Sequence, residues 1–157
     1  MKKILEKLWV FELSLRFFAF FAQINRLSFF TKFLTNISAH LNLWLNRPQK
    51  AANTKELAET WQALMPKDGQ DLFKIKTVDI ETAIAEIHLH CPLRGTGNVN
   101  ACHRLMNYDR KLMQKIGGEL IVLESQSNSG KSYCTLAIRK KGSDTSDLIH
   151  AHLKPIP

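Results

Sequence analysis

No glycine occurs before residue 69, and only Pro48 and Pro66 interrupt that stretch. With so few breakers the first 68 residues read as helical, which excludes a turn-rich β architecture there. Cysteine is scarce as well: three residues, an odd number, with no C-x2-C and no H-x3-H pair. That excludes a standard zinc finger and a disulfide-stapled secreted scaffold, and it fits a reducing cytoplasm. Nor is there a run of about 18 uncharged apolar residues that could span a bilayer. Glu6, Lys7, Glu12 and Arg16 break up the N-terminal apolar residues, so a signal peptide and export are not expected. The expected location is the cytoplasm, with the inner face of the membrane as a peripheral site.

What the chain does hold is unevenly placed. Its 157 residues suffice for about one domain with its own core. The formal charge is +8, and residues 1–50 carry eight Lys/Arg against two Glu, so most of the excess lies there. In the same segment Leu13, Phe17, Phe20, Ile24, Leu27, Phe30, Leu34, Ile37, Leu41 and Trp44 recur in steps of three and four, one apolar helical stripe. Phe18, Phe21, Phe29 and Phe33 widen it beyond what one small domain normally buries. The stripe is expected to pack on a sheet, on a second subunit in a homodimer, or on an anionic membrane surface near Lys2, Lys3, Lys7, Arg16, Arg26 and Lys32. So many Phe among the basic residues argue against a solvated nucleic-acid-reading helix, and no helix-turn-helix pattern is present.

The chain divides into an N-terminal amphipathic helical segment (1–52), an α/β core (53–142) and a C-terminal tail (143–157). Asn53 and Glu56 have capping-box spacing, predicting a helix from Thr54 to Leu64 that stops at Pro66. Strand alternation follows in Phe73-Ile75-Thr77 and in Ala85-Ile87-Leu89-Cys91. PLRGTGN then leads into a helix with Leu105, Met106, Leu112, Met113 and Ile116 at burial spacing, ended by Gly117-Gly118. Near the end SQSNSGKS (125–132) carries the letters that close a phosphate-binding loop. The required Gly five residues before Gly130 is Ser125, and Cys134-Leu136-Ile138 alternate as a strand instead of opening a helix. ELIVLES, SNSG and YCTLAIR therefore predict a β-hairpin without phosphate function.

The candidate chemistry gathers at His88, His90, Cys91, Cys102, His103, Glu124 and Cys134. Thiols, imidazoles and a carboxylate are the ligand types zinc prefers, though the spacing is irregular. Alternatively, Cys91 and Cys134 on alternating apolar faces are small buried hydrophobes. Cys91-Pro92 beside His88 and His90 permits thiolate ligation of haem iron. A fourth reading is a cysteine-dependent hydrolase or other small-molecule enzyme, with Cys91 or Cys102 as nucleophile and His103 as base. No oxyanion hole or third partner can be named, and the balance leans away from catalysis.

HCPL (90–93), ACHRLM (101–106) and GGELIVLESQSNSGKSYCTLAI (117–138), taken in order, resemble the C-terminal half of the 4-vinyl reductase and methanogen-output-domain group, relatives of a vesicle-trafficking-complex subunit fold. The resemblance covers residues 85–140. It implies an α/β (α+β) fold, an antiparallel sheet packed against helices, often dimeric through N-terminal helices, with a pocket for an apolar or tetrapyrrole-like small molecule. The group's cysteine positions fall on Cys91, Cys102 and Cys134, and its turn glycine on Gly130. Gln126 stands where zinc-holding members have a further Cys, and Lys131 where an acidic residue is usual.

Overall fold

A computed structural model describes residues 7–154, so Lys2 and Lys3 lie outside the described residues. The N-terminal segment is not one helix but a hairpin of two, α1 (Leu8–Ala22) and α2 (Ser28–Asn46), turned by a short 3-10 stretch at Asn25–Leu27. No residue near Leu8 in sequence caps α1. Asp68 does so from across the fold, accepting Leu8 N–H at 2.7 Å, and that bond holds its carboxyl below the usual range. Gly69 packs closely beside it: a Cβ there would come within 2.8 Å of the Leu8 side-chain tip, which would have to shift. At the other end Arg104 donates to the Ala22 carbonyl and Asn25 Oδ1, both at 2.9 Å, which ties down the turn.

The next helix, α3 (Thr54–Ala63), starts as the sequence predicts. Asn53 Oδ1 accepts Glu56 N–H at 2.9 Å, and Glu56 Oε2 reaches back to Ala52 N–H at 2.8 Å, one residue earlier than in the usual box. The hairpin β1 (Phe73–Val78) and β2 (Ala83–Ile87) follows, then α4 (Val99–Leu105), α5 (Asn107–Ile116) and the hairpin β3 (Gly118–Glu124) and β4 (Cys134–Lys140). The predicted single helix after PLRGTGN is thus two, broken at Met106, with Leu105, Met106, Leu112, Met113 and Ile116 all buried. Gly117, at φ 93°, provides the left-handed C-terminus of α5.

The four strands form one antiparallel sheet in the order β1-β2-β4-β3. With helices and this sheet, the fold is α+β, as the sequence reading holds. Phe73, Ala85, Leu120, Leu136 and Ile138 look from the sheet into the core, against Leu57, Trp61, Leu112 and Ile116. Ile121, Ala137 and Arg139 face the other way, and Arg139 holds Asp144 and Asp147 there, while further on Ala151 joins the core beside α4. Buried Arg139 grips both oxygens of Asp147 at 2.6 and 2.7 Å and bonds Thr82 Oγ1 at 2.7 Å, so the C-terminal segment is part of the fold and not a free tail.

The apolar stripe of residues 13–44 proves to be the outer face of the helical hairpin. Leu13, Phe17, Phe20, Ile37 and Trp44 are exposed, whereas Ala19, Ala22, Thr31, Thr35 and Ala39 are buried. Small residues let α2 lie close to α5, where Asn107 donates to Thr35 Oγ1 and Asn36 Oδ1 at 2.9 Å. Phe18 and Phe21 do not belong with the outer surface: Phe18 turns toward the core, and Phe21 packs edge-on against Phe30 at 4.9 Å, between the two helices. Phe29 and Phe33 do face out.

Candidate functional site

The two helices of the hairpin, by their ends away from the turn, wall a cavity of about 180 Å³ over the inner face of the sheet. Val10, Phe11, Leu15 and Phe18 line it from α1, and Leu41 and Leu45 from α2. Phe73, Ile87, Leu89, Leu105 and Met106 complete most of the apolar wall, and Cys91, Cys102 and Cys134 all reach it. The structure thus brings the three cysteines to one cavity, from the loop after β2, the first turns of α4 and the start of β4.

None of the three thiols is activated. Burial pushes the Cys91 thiol up, Cys102 up to about 11 and Cys134 up to about 12. Ser125 Oγ donates to Cys102 Sγ at 3.0 Å, while Leu93 and Gln126 direct backbone N–H groups at Cys91 and Cys134 sulfur at 3.4 Å. Neutral, weakly hydrogen-bonded thiols suit an apolar wall, not a nucleophile.

The histidines lie elsewhere. The chain leaves the sheet at Ile87, so His88, His90 and Cys91 are not strand residues. His88 bonds Glu86 at 2.8 Å and stacks on Tyr133, and His90 is exposed. His103 turns its ring to His152, centroid to centroid 4.0 Å, beside a second cavity of about 90 Å³ that Cys102, Arg110, Ser125 and His150 also line, while the Cys102 thiol itself is taken by Ser125 Oγ. Burial and the Arg110 guanidinium hold His103 down to about 4. Among the described residues no imidazole is hydrogen-bonded to a thiol. The pairing of Cys91 or Cys102 with His103 as nucleophile and base is therefore not assembled.

Glu124 is an ion-pair partner of Lys131 and accepts from Thr135 Oγ1 at 3.3 Å, so it is no ligand to the cysteines. Among the described residues no group of three or more His, Cys, Asp or Glu is placed to hold a metal ion. No donor set for zinc or thiolate-bound haem is assembled among the described residues, since none of His88, His90, His103 and Glu124 lines the cavity that the three cysteines share.

Several residues that shape the cavity were not read from the sequence as doing so. Gln126, at the position where the vinyl-reductase-like reading notes a missing cysteine, is fully buried. Its Oε1 accepts from Arg94 Nε at 2.8 Å and Cys91 N–H at 3.3 Å, and its Nε2 donates to the Leu89 carbonyl at 2.8 Å. Its backbone carbonyl accepts Gly95 N–H at 3.0 Å, and that of Ser127 accepts Gly97 N–H at 2.8 Å. The serine-rich turn is thus buried at its first three residues against the RGTG loop, and from Asn128 it approaches solvent. Gly130 takes φ 71°, as a turn glycine should. Asp109 reads in sequence as an ordinary acid near a helix start. It is buried, accepts Trp61 Nε1–H at 3.0 Å, and burial raises its carboxyl to about 6. Next to it Tyr108 is raised by burial, and its hydroxyl accepts from Asn42 at 2.7 Å.

The geometry defines a class, an antiparallel-sheet domain whose helical cover encloses an apolar cavity. Comparison with protein-family models, with curated proteins and with solved structures yields no match.

Proposed function

We propose that this protein binds a small apolar molecule in the cavity between the helical hairpin and the sheet. The supporting observation is an apolar cavity of about 180 Å³ whose polar lining groups already serve one another: Asn42 with Tyr108, Asp109 with Trp61, Gln126 with the loop backbone. No buried side-chain nitrogen or oxygen among the described residues lacks a partner. A ligand here meets hydrocarbon, aromatic rings and thiols, and the two charged lining residues, Asp109 and Lys67, already bond to Trp61 and the Ala63 carbonyl. Apolar cavities of this order, about 150 Å³, stay dry and take up benzene-sized molecules.

The size selects among ligands. Sites for drug-sized molecules run to about 300–1,000 Å³. A single ring or short hydrocarbon chain fits within this cavity. The cysteines act as wall, and the reading is a binding protein, with no catalytic step assigned.

Native mass spectrometry of the purified protein, followed by thermal melts with single-ring aromatics and short alkanols, tests this. A ligand at about 100 times its Kd should stabilise the fold by about 2.7 kcal/mol, and Ser38→Phe, which plugs the cavity from α2, should abolish the shift. Protein that carries no small molecule and melts identically with every compound would contradict the proposal.

A further inference from the structure

The outer face of the helical hairpin presents Trp9, Leu13, Phe17, Phe29, Phe33 and Trp44 to solvent, with Phe29 80% exposed. A typical monomer's largest exposed apolar patch, about 300–600 Å², is already often functional, and this face extends along two whole helices. Around it lie Arg16, Arg26 and Lys32, exposed and in no ion pair among the described residues. From residue 7 to residue 50 the sole acidic side chain is Glu12, against six Lys/Arg.

We propose that this face docks on an anionic lipid bilayer, the two helices lying in the headgroup region with their Phe and Trp side chains in the acyl boundary. Charge decides between lipid and a second copy of the chain. A two-fold interface presses the same patch against itself, so Arg16, Arg26 and Lys32 of both copies would gather at one interface with only Glu12 of each copy to offset them. Phosphatidylserine headgroups neutralise the same residues. Length fixes the mode. At 1.5 Å per residue, α1 and α2 are roughly 22 and 28 Å long, and no helix among the described residues is long and apolar enough to cross a membrane. A helix with an apolar arc and basic rim then lies in the interface plane. Trp9 and Trp44, at the ends remote from the turn, sit where indoles favour the water–lipid boundary. The tie from Arg104 to Ala22 and Asn25 keeps the hairpin on the domain, so docking needs no unfolding.

Docking also places the cavity. Leu41 both lines it and is exposed on the outer face, so the mouth opens beside the lipid-facing surface. This last step rests on the small-molecule reading, and it makes bilayer-partitioned apolar compounds the source of ligand.

Flotation with phosphatidylcholine vesicles, with and without phosphatidylserine, tests the docking in the full chain. The protein should float with the anionic vesicles, and about 0.5 M salt, where the Debye length falls to about 4 Å, should weaken that binding severalfold. Phe29→Ser with Phe33→Ser should weaken it at least about tenfold, and Arg16→Glu with Lys32→Glu should abolish salt-sensitive binding. Circular dichroism and the melting midpoint of both double variants should match the wild type, because all four side chains are exposed. Protein that ignores both vesicle types overturns the proposal, whether it sediments as a monomer or as a dimer that Phe29→Ser and Phe33→Ser dissociate. Ligand-induced melting shifts, measured without vesicles, are independent of this outcome.

Discussion

In the helical hairpin the residues turned inward are Ala19, Ala22, Thr31, Thr35 and Ala39, while in the sheet half they are Trp61, Phe73, Leu112, Met113 and Leu136. The hairpin fills its fully buried positions with small residues, turns Phe11, Leu15 and Phe18 to the cavity and leaves Leu13, Phe17, Phe20, Phe29 and Phe33 outside, whereas the sheet half buries its large residues completely. Both are amphipathic in sequence. What differs is which side of the helix carries volume: small residues bring α2 close to α5, and the outer arc is left as an unspent apolar surface. An apolar stripe identifies a face that avoids water, not the partner that covers it.

The comparison breaks most visibly if equal changes in the two regions have equal effects. Trp61→Ala removes a fully buried indole and leaves Asp109 without its donor, so denaturant unfolding should show a loss of about 3–5 kcal/mol. Phe29→Ser in the same assay should stay within about 0.5 kcal/mol.

Asp109 and His103 sharpen the contrast between the walls of the two cavities, through pH. The Asp109 carboxyl is raised in the fold, so its protonated form is favoured there. Its stabilising effect is complete below the unfolded value near 3.8 and is lost as pH rises through about 6. His103 is lowered to about 4, and the fold favours the neutral ring. Its contribution is present above about 6.5 and is lost as pH falls toward 4. The two slopes oppose each other over pH 4–6. Asp109→Asn, which keeps an acceptor for Trp61, should raise stability at pH 7.5 by about 2–3 kcal/mol and leave a profile that climbs with pH. His103→Gln should leave one that falls, as followed by melts across that range.

Enlarging an inward residue of the hairpin is the next test. Ala39→Leu should cost about 1–3 kcal/mol by overpacking in the same unfolding assay, although the change would look favourable on a hydrophobicity scale. Cys102→Ala and Cys134→Ala remove small wall groups and should each cost about 1 kcal/mol, with no change in metal content by elemental analysis. Smallest of all, Lys131→Ala in the serine-rich turn should alter the melting midpoint within error, since its pair with Glu124 is exposed.

Much of the fold could be read from local rules. The α3 capping box, the strand alternation through Phe73 and Ile138, and the Gly130 turn each depend on residues near in sequence. The grouping of Cys91, Cys102 and Cys134 was also legible, because they flank elements that one hairpin and one helix bring together. Their role was not. Whether a thiol near a histidine is a ligand, a nucleophile or a wall depends on burial and on where His103 points, and both are set by long-range packing. The structural role of Gln126, noted only as the place of an absent cysteine, and Asp109 as a whole escaped notice for the same reason, since a polar residue in a turn or first helical turn is ordinarily solvated. The break at residues 23–27 was hidden because Gln23, Asn25 and Arg26 are tolerated in helices, and the turn is secured from Arg104, far along the chain.

The three tryptophans report on both regions at once: Trp9 and Trp44 are 61% and 60% exposed, and Trp61 is fully buried. Acrylamide quenching of tryptophan emission, in dilute buffer and then with phosphatidylserine vesicles, tests the outward apolar face most directly. The account predicts two readily quenched tryptophans and one shielded one in buffer, with a blue shift and protection of the first two on the vesicles. Three equally shielded tryptophans in monomeric protein without lipid would contradict it, because the stripe would then be turned into the protein's own core.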